Sequence, residues 1–147
     1  LIQFVLDCSV AISWCLVDED NDYANAVLAF MPDAEAFVPE IFTLEIANTL
    51  LVAERRNRMT STQTASAINL IQSLPIFIDS QTSAKALGAT LNLGKEQELA
   101  SYDAAYLELA IRLGLPLVTL DDRLAKSAKR CSVLLLNPET VQDNEKG

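Results

Sequence analysis

The stretch VTLDDRLAKSAKR, Val118 to Arg130, ends an apolar run in two aspartates and then passes into a basic, helix-like segment. An aspartate at such a junction can simply cap the helix, its side-chain oxygen accepting from the free N–H groups of the first turn. A chemical role needs further carboxylates at the same edge of the fold. Asp7, in FVLDCS, closes the first apolar run in the same way. Asp103 lies in SYDAAYLELAIRL, where Tyr106, Leu107, Ala110 and Ile111 follow at i+3, i+4, i+7 and i+8. That is the apolar face of a helix, while Glu108 and Arg112 mark the wet one. A charge heading a core-facing stripe needs a partner or a metal. The plainer alternative has Ser101 capping the helix and Asp103 sitting at the positive end of its dipole. Glu45, in PEIFTLEIANTLLVAERR, shares a narrow polar stripe with Asn48, Thr49, Arg55 and Arg56. The stripe suits a solvent-facing strip. It equally suits a metal-binding or water-orienting carboxylate followed by basic residues that track a phosphate backbone.

Four carboxylates meeting at one rim repel one another unless a cation neutralises them. A hard divalent cation such as Mg²⁺ takes oxygen ligands, usually a few carboxylates and waters, with phosphoryl oxygens completing the shell. Such a centre hydrolyses phosphodiesters without histidine. The chain has no histidine at all, which removes serine–histidine and cysteine–histidine catalysis and the usual zinc sites.

The elements needed to bring the acids together follow from the alternation of short Val/Ile/Leu/Phe runs with segments of helical period, the pattern of a parallel sheet covered on both faces. Strands are expected at Gln3–Leu6, Ala36–Val38, Ile76–Ile78, Leu117–Thr119 and Val133–Leu136. Helices are expected at Val10–Leu16, Asp22–Phe30, Phe42–Asn57, Ser61–Ser73, Ser80–Leu91, Ser101–Leu113 and Arg123–Arg130. Thr60 and Gln63 are spaced as a capping box, and Gly114 is placed to stop a helix. Reactive groups in such sheets gather beyond the carboxyl ends of the strands, so Asp7 and Asp121 should project at one rim.

Composition sets the outer bounds. At 147 residues, half of them hydrophobic, the chain is expected to form a single α/β domain over residues 1–140 with a polar tail at 141–147. No apolar run approaches the roughly 18 to 20 residues of a membrane helix, so the reading is of a soluble, cytoplasmic protein with no membrane partner. Cys8, Cys15 and Cys131 form no CxxC pair and read as small buried hydrophobes in a reducing compartment. The net charge of −9 argues against phosphate binding, but its distribution does not. No Lys or Arg precedes Arg55, and Arg123, Lys126, Lys129 and Arg130 cluster near the end, so a basic face is possible on an acidic protein. Trp14 is expected to pack in the core or at an interface rather than stack on a base.

Together, Asp7 in VLDCSVAISW, Glu45 in LEIANTL, Asp103 in SYDAAYLELA and Asp121 in LVTLDDRLAKSA resemble the PIN-domain family, above all its VapC-type toxin ribonucleases of prokaryotic toxin–antitoxin pairs. The resemblance implies a three-layer α/β/α sandwich around a parallel sheet of about five strands, RNA cleavage dependent on Mg²⁺ or Mn²⁺, a small antitoxin partner and a homodimer. It places Asp7, Glu45, Asp103 and Asp121 on the family's four acidic positions, with Asp7 and Asp103 as direct metal ligands and Glu45 and Asp121 acting through waters or a second cation. Ser9 and Thr119 match its small hydroxyls, Asp121 is preferred to Asp122 as the fourth acid, and Arg55, Arg56, Arg123 and Lys126 are candidates for the RNA path. The apolar helices between Phe42 and Leu74 are candidates for an antitoxin groove. The rival expectation is a catalytically silent PIN-like module that only binds RNA or protein. A phospho-accepting receiver domain fits poorly, since one aspartate rather than an acidic pair ends the first strand and Asn137–Pro138 stands where a lysine would follow the last. A haloacid-type phosphatase fits worse, with Ser9 where its second aspartate belongs.

Overall fold

A computed structural model describes residues 1–141. β1 (Ile2–Leu6) leads directly into α1 (Cys8–Cys15), followed by α2 (Asp22–Phe30), a 3₁₀ turn at Met31–Asp33 and β2 (Ala34–Pro39). α3 (Ile41–Arg55) and α4 (Ser61–Ser73) form a hairpin before β3 (Ile76–Asp79). The chain then runs through α5 (Thr82–Lys85), a π-helical turn (Ala86–Thr90), α6 (Leu91–Gln97), α7 (Ser101–Leu113), β4 (Leu117–Val118) and α8 (Asp122–Arg130). The four strands are parallel in the order β3-β2-β1-β4.

Successive residues Phe4, Val5 and Leu6 are all fully buried, as a strand covered on both faces requires. On one side α1 packs against α2, α3 and α4; α7 packs on β1 and β2 and against α6 and α8. Tyr106, Leu107 and Leu109 of α7 are fully buried, and each such apolar side chain contributes about 1.5–3 kcal/mol relative to exposure. The local signals operate as read. Thr60 and Gln63 make both bonds of a capping box, and Gly114 closes α7 at φ 66°, a left-handed conformation that glycine adopts without strain. Trp14 is half-buried and donates from Nε1 to the Ala24 carbonyl at 2.7 Å, fastening α1 to α2.

Four expectations are corrected. The fifth strand is absent: of Val133–Leu136, only Leu135 bridges to Leu117. β4 is itself two residues long, only its Leu117 turns its backbone to this side, bonding Leu134 and Leu136, and the Leu136 carbonyl is taken by the Tyr23 hydroxyl at 3.0 Å, so the ladder stops after one bridge. The helix expected at Ser80–Leu91 starts at Thr82 because Asp79 accepts from Gln81 N in a turn, and it continues to Gln97, where Glu98 takes φ 55° and ends it. Glu108 and Arg112 do not face water. Glu108 is buried, and Arg112 bonds both it (2.8 Å) and Asp79 (2.7 Å), tying α7 to the edge strand. Ser101 is not the cap of α7; that position is Ala100, which offers no side-chain bond. Of the tail expected at 141–147, Val141 is buried and residues 142–147 lie outside the described part.

The topology sets where a ligand crevice falls. From β1 the chain builds outward through β2 to β3 and then returns to lay β4 on the other side of β1. The strand order therefore reverses between β1 and β4, and a crevice at their carboxyl ends is where such sheets bind ligands. Among the described residues no helix is long and apolar enough to cross a membrane.

Candidate active site

Asp7 stands at that crevice. Its N–H donates to the Val118 carbonyl at 2.9 Å, locking the end of β1 to β4. Although Asp7 occupies the N-cap position of α1, its side chain caps nothing. Instead Oδ2 accepts from Ser9 Oγ at 2.5 Å and from Thr119 Oγ1 at 2.8 Å. Both hydroxyls are oriented from behind: Ser9 Oγ accepts from Leu120 N, and Thr119 Oγ1 accepts from Asp121 N, each at 3.0 Å. With its acceptor role filled by a backbone N–H, each hydroxyl has its single proton left for Asp7. Asp7 is 3% exposed. Burial pushes its carboxyl above the ordinary range, the two hydroxyls oppose that, and the nearby charges of Glu45 and Asp121 add to it.

Asp103, in the first turn of α7, is half-buried. Desolvation, and then the charges of Asp7 and Asp121, push its carboxyl up, with Arg123 opposing them. Asp121 does cap α8, accepting from Arg123 N at 2.9 Å and Leu124 N at 3.1 Å through Oδ1. That bond aims the residue without consuming Oδ2. Asp122 is exposed and faces a separate polar pocket of about 420 Å³, lined also by Gln97, Glu98, Arg123, Lys126 and Arg130. Glu45, in the second turn of α3, accepts from Tyr106 Oη at 2.7 Å through Oε1 and from Cys8 Sγ at 3.3 Å through Oε2.

The four acids thus come from four separate elements and act on one another's charge. Arg123, in the first turn of α8, acts on the charge of Asp103; Lys126 lines the separate polar pocket with Asp122, and Arg55 and Arg56 lie at the far end of α3, roughly 15 Å along the helix axis from Glu45. Two residues at the site were not expected from the sequence. Cys8 is a hydrogen-bond donor as well as a packing group, and the hydroxyl of Tyr106 reaches a carboxylate from what reads as an apolar stripe. For the tyrosine there was a signal, since a buried Tyr hydroxyl usually requires a partner. For Cys8 there was none.

Among the described residues no three acid or cysteine side chains converge closely enough to make a ready-built ligand cage. The acids lie within electrostatic reach of one another without closing round a point, which would suit a cation that keeps most of its own waters, as Mg²⁺ does, rather than one fully wrapped by protein. The donor set is all oxygen apart from one protonated thiol. A buried aspartate surrounded by like charges is the arrangement a hard cation relieves.

The sequence pattern of the PIN domain matches residues 4–130, and the chain belongs to that family. Ribonuclease VapC3 of Mycobacterium tuberculosis is 29% identical over 125 residues, covering 85% of this chain and 87% of that protein. Two solved structures share the fold. PAE2754 from Pyrobaculum aerophilum superposes with a TM-score of 0.65 at 20% identity, covering 95% of this chain and 93% of that one. VapBC2 from Rickettsia felis, bound to a DNA fragment from their promoter, superposes with a TM-score of 0.63 at 17% identity, covering 92% and 98%.

Proposed function

We propose that this protein is a metal-dependent endoribonuclease and the toxin of a toxin–antitoxin pair. The observation that carries the reading is the desolvated Asp7, pinned by two pre-oriented hydroxyls at the β1/β4 switch point and facing three more acids. The VapC ribonuclease relative and the VapBC structural neighbour support the same class.

Asp7 and Asp103 would hold a Mg²⁺ or Mn²⁺ ion, with Asp121 and Glu45 reaching it through water. Bound there, such an ion polarises a phosphate oxygen and lowers the pKa of water. The chain's own part is to keep Asp7 fixed through Ser9 and Thr119, to orient Asp121 through its cap on α8, and to set Glu45 where it can order a water. Arg123 and Lys126 would take neighbouring phosphates of a single strand; a strand that also reached Arg55 and Arg56 would have to follow α3.

The antitoxin is assigned to the apolar groove between α3 and α4. This groove holds about 390 Å³ and is lined by Ile46, Leu50, Leu51, Ile68 and Ile71. Leu51 and Ile68 are exposed in it; its α3 wall, Thr43, Ile46, Ala47, Leu50 and Leu51, is one face of that helix and Glu45 lies on the other, so a segment seated in the groove would have to pass round the start of α3 to reach the acids. An arginine carried there would neutralise them. Action in the cytoplasm and a homodimeric state complete the proposal.

The test is incubation with single-stranded RNA and Mn²⁺ or Mg²⁺, against EDTA and an Asp7→Asn control. Cleavage that needs both the metal and Asp7 is expected. Intact RNA across several substrates would leave a binding module in place of a nuclease.

A further inference from the structure

Glu45 is gripped in an unusual way for an acid at an active-site rim. Each of its two oxygens already accepts a hydrogen bond, Oε1 from the Tyr106 hydroxyl at 2.7 Å and Oε2 from the Cys8 thiol at 3.3 Å. The donors come from opposite sides. Tyr106 belongs to α7, three residues after Asp103 and therefore on the same face of that helix, and Cys8 immediately follows Asp7 at the start of α1. Tyr106 is fully buried, with no freedom to swing away, and its hydroxyl is the polar end of an otherwise apolar core contact. Both donors stay protonated, because burial and the surrounding acids push the phenol and the thiol well above their usual ranges. Each donor is thus covalently close to one of the two proposed metal-binding aspartates, and the carboxylate they hold is the third acid.

From this we infer that Tyr106 is a positioning residue for the nuclease reaction: with Cys8 it fixes the Glu45 carboxylate at a set distance from Asp7 and Asp103, so that Glu45 serves through an ordered water rather than by direct binding to the ion. The inference rests on the proposed metal-dependent reaction and goes beyond it in giving Glu45 a defined role and a named support. A carboxylate has about four lone-pair sites, so two hydrogen bonds leave it able to accept from a water while denying it the rotation needed to wrap a cation. The bond from Tyr106 is charge-assisted, among the stronger kinds. Neighbours that hold a metal-site group in place in this manner are typically worth 10–100-fold in metal affinity or activity.

The experiment is a double-mutant cycle with Tyr106→Phe and Glu45→Gln. The phenylalanine removes one oxygen and leaves the core filled. Two readouts are taken for the wild type, both single variants and the double variant: kcat and KM on single-stranded RNA with Mn²⁺, and Mn²⁺ affinity by paramagnetic resonance titration without RNA. Tyr106→Phe is expected to lower kcat and weaken Mn²⁺ binding by about tenfold with KM little changed, and to cost nothing further once Glu45 is glutamine. Cys8→Ala, which removes the other donor, gives the same cycle independently, with a smaller loss expected; it serves also if the Tyr106 variant does not fold. Wild-type kcat and Mn²⁺ affinity in Tyr106→Phe would overturn the inference, and so would an equal loss in the Glu45→Gln background, since the tyrosine would then act through the fold. A chain that cleaves no RNA but shows the coupling in Mn²⁺ affinity would refute the nuclease reading and leave the clamp standing. Cleavage without coupling would do the reverse.

Discussion

Asp7 is held at a cost to stability. Its carboxyl is pushed upward by burial first and by Glu45 and Asp121 as well, so the folded chain binds its proton more tightly than the unfolded chain does. The sign follows: between the ordinary carboxylate pKa, near 4, and the raised folded value, stability falls as pH rises, and above that window the penalty stays. Asp7→Asn keeps the shape and can still accept from Ser9 and Thr119 through its amide oxygen, but it has no charge to bury. We therefore expect it to abolish RNA cleavage while raising the melting temperature of the metal-free protein at neutral pH by about 2–4 °C, roughly what 1 kcal/mol gives in a chain of this size. Calorimetry in EDTA checks this; a lower melting temperature would mean that the ionised aspartate stabilises the fold. Cys15 shows the opposite, inert use of burial. Its thiol is pushed up to about 11 by desolvation alone and plays no part at the rim.

At the scale of the elements, α7 carries the most. One end carries Asp103 within reach of the charges of Asp7 and Asp121, its middle supplies Tyr106 to Glu45, and its last turn holds Arg112 against Glu108 and Asp79. The Arg112 guanidinium holds the Asp79 carboxyl below the ordinary range, so this pair stabilises above the unfolded pKa, and its contribution is lost as pH falls through the lowered value. Arg112→Ala would leave two largely buried carboxylates unpaired and is expected to destabilise by about 3 kcal/mol, read as a shift in urea midpoint. Because the triad lies at the far end of α7 from Asp103, the variant that remains folded should cleave RNA at close to the wild-type rate. The apolar stripe and the aspartate of α7 are legible at helical spacing, but the surroundings of Glu108 and Arg112 are not, because a polar pair at i, i+4 has the same period whether it meets solvent or an aspartate from another strand. The longer helix through Gln97 was hidden for a different reason: Asn92 and Gly94 are weak helix formers, and tertiary packing overrode them.

For the whole molecule, a divalent ion and the fold should reinforce each other. Asp7 and Asp103 are both raised, so cation binding must displace protons at low pH and relieves repulsion at high pH. Saturating Mn²⁺ is expected to raise the melting temperature by several degrees at about pH 8 and by much less at about pH 5, with the gain erased by EDTA and absent in Asp7→Asn. Thermal scans across pH measure it, and a gain independent of pH or of Asp7 would place the ion elsewhere.

What the sequence by itself determined was the class of fold and the positions of the candidate acids. Apolar runs alternating with helical periods are local chemistry, and strands that end in Asp7 and Asp121 can be read without knowing what faces them. What only the tertiary structure decided was how each oxygen is used. Thr119 reaches Asp7 across 112 residues, Tyr106 reaches Glu45 across 61, and Cys8 reaches Glu45 across 37. No local period encodes a partner at such separations; strand order and helix packing bring these groups together. The same holds for the missing fifth strand, where Val133–Leu136 has the composition of a strand but β4 offers it only one residue to pair with.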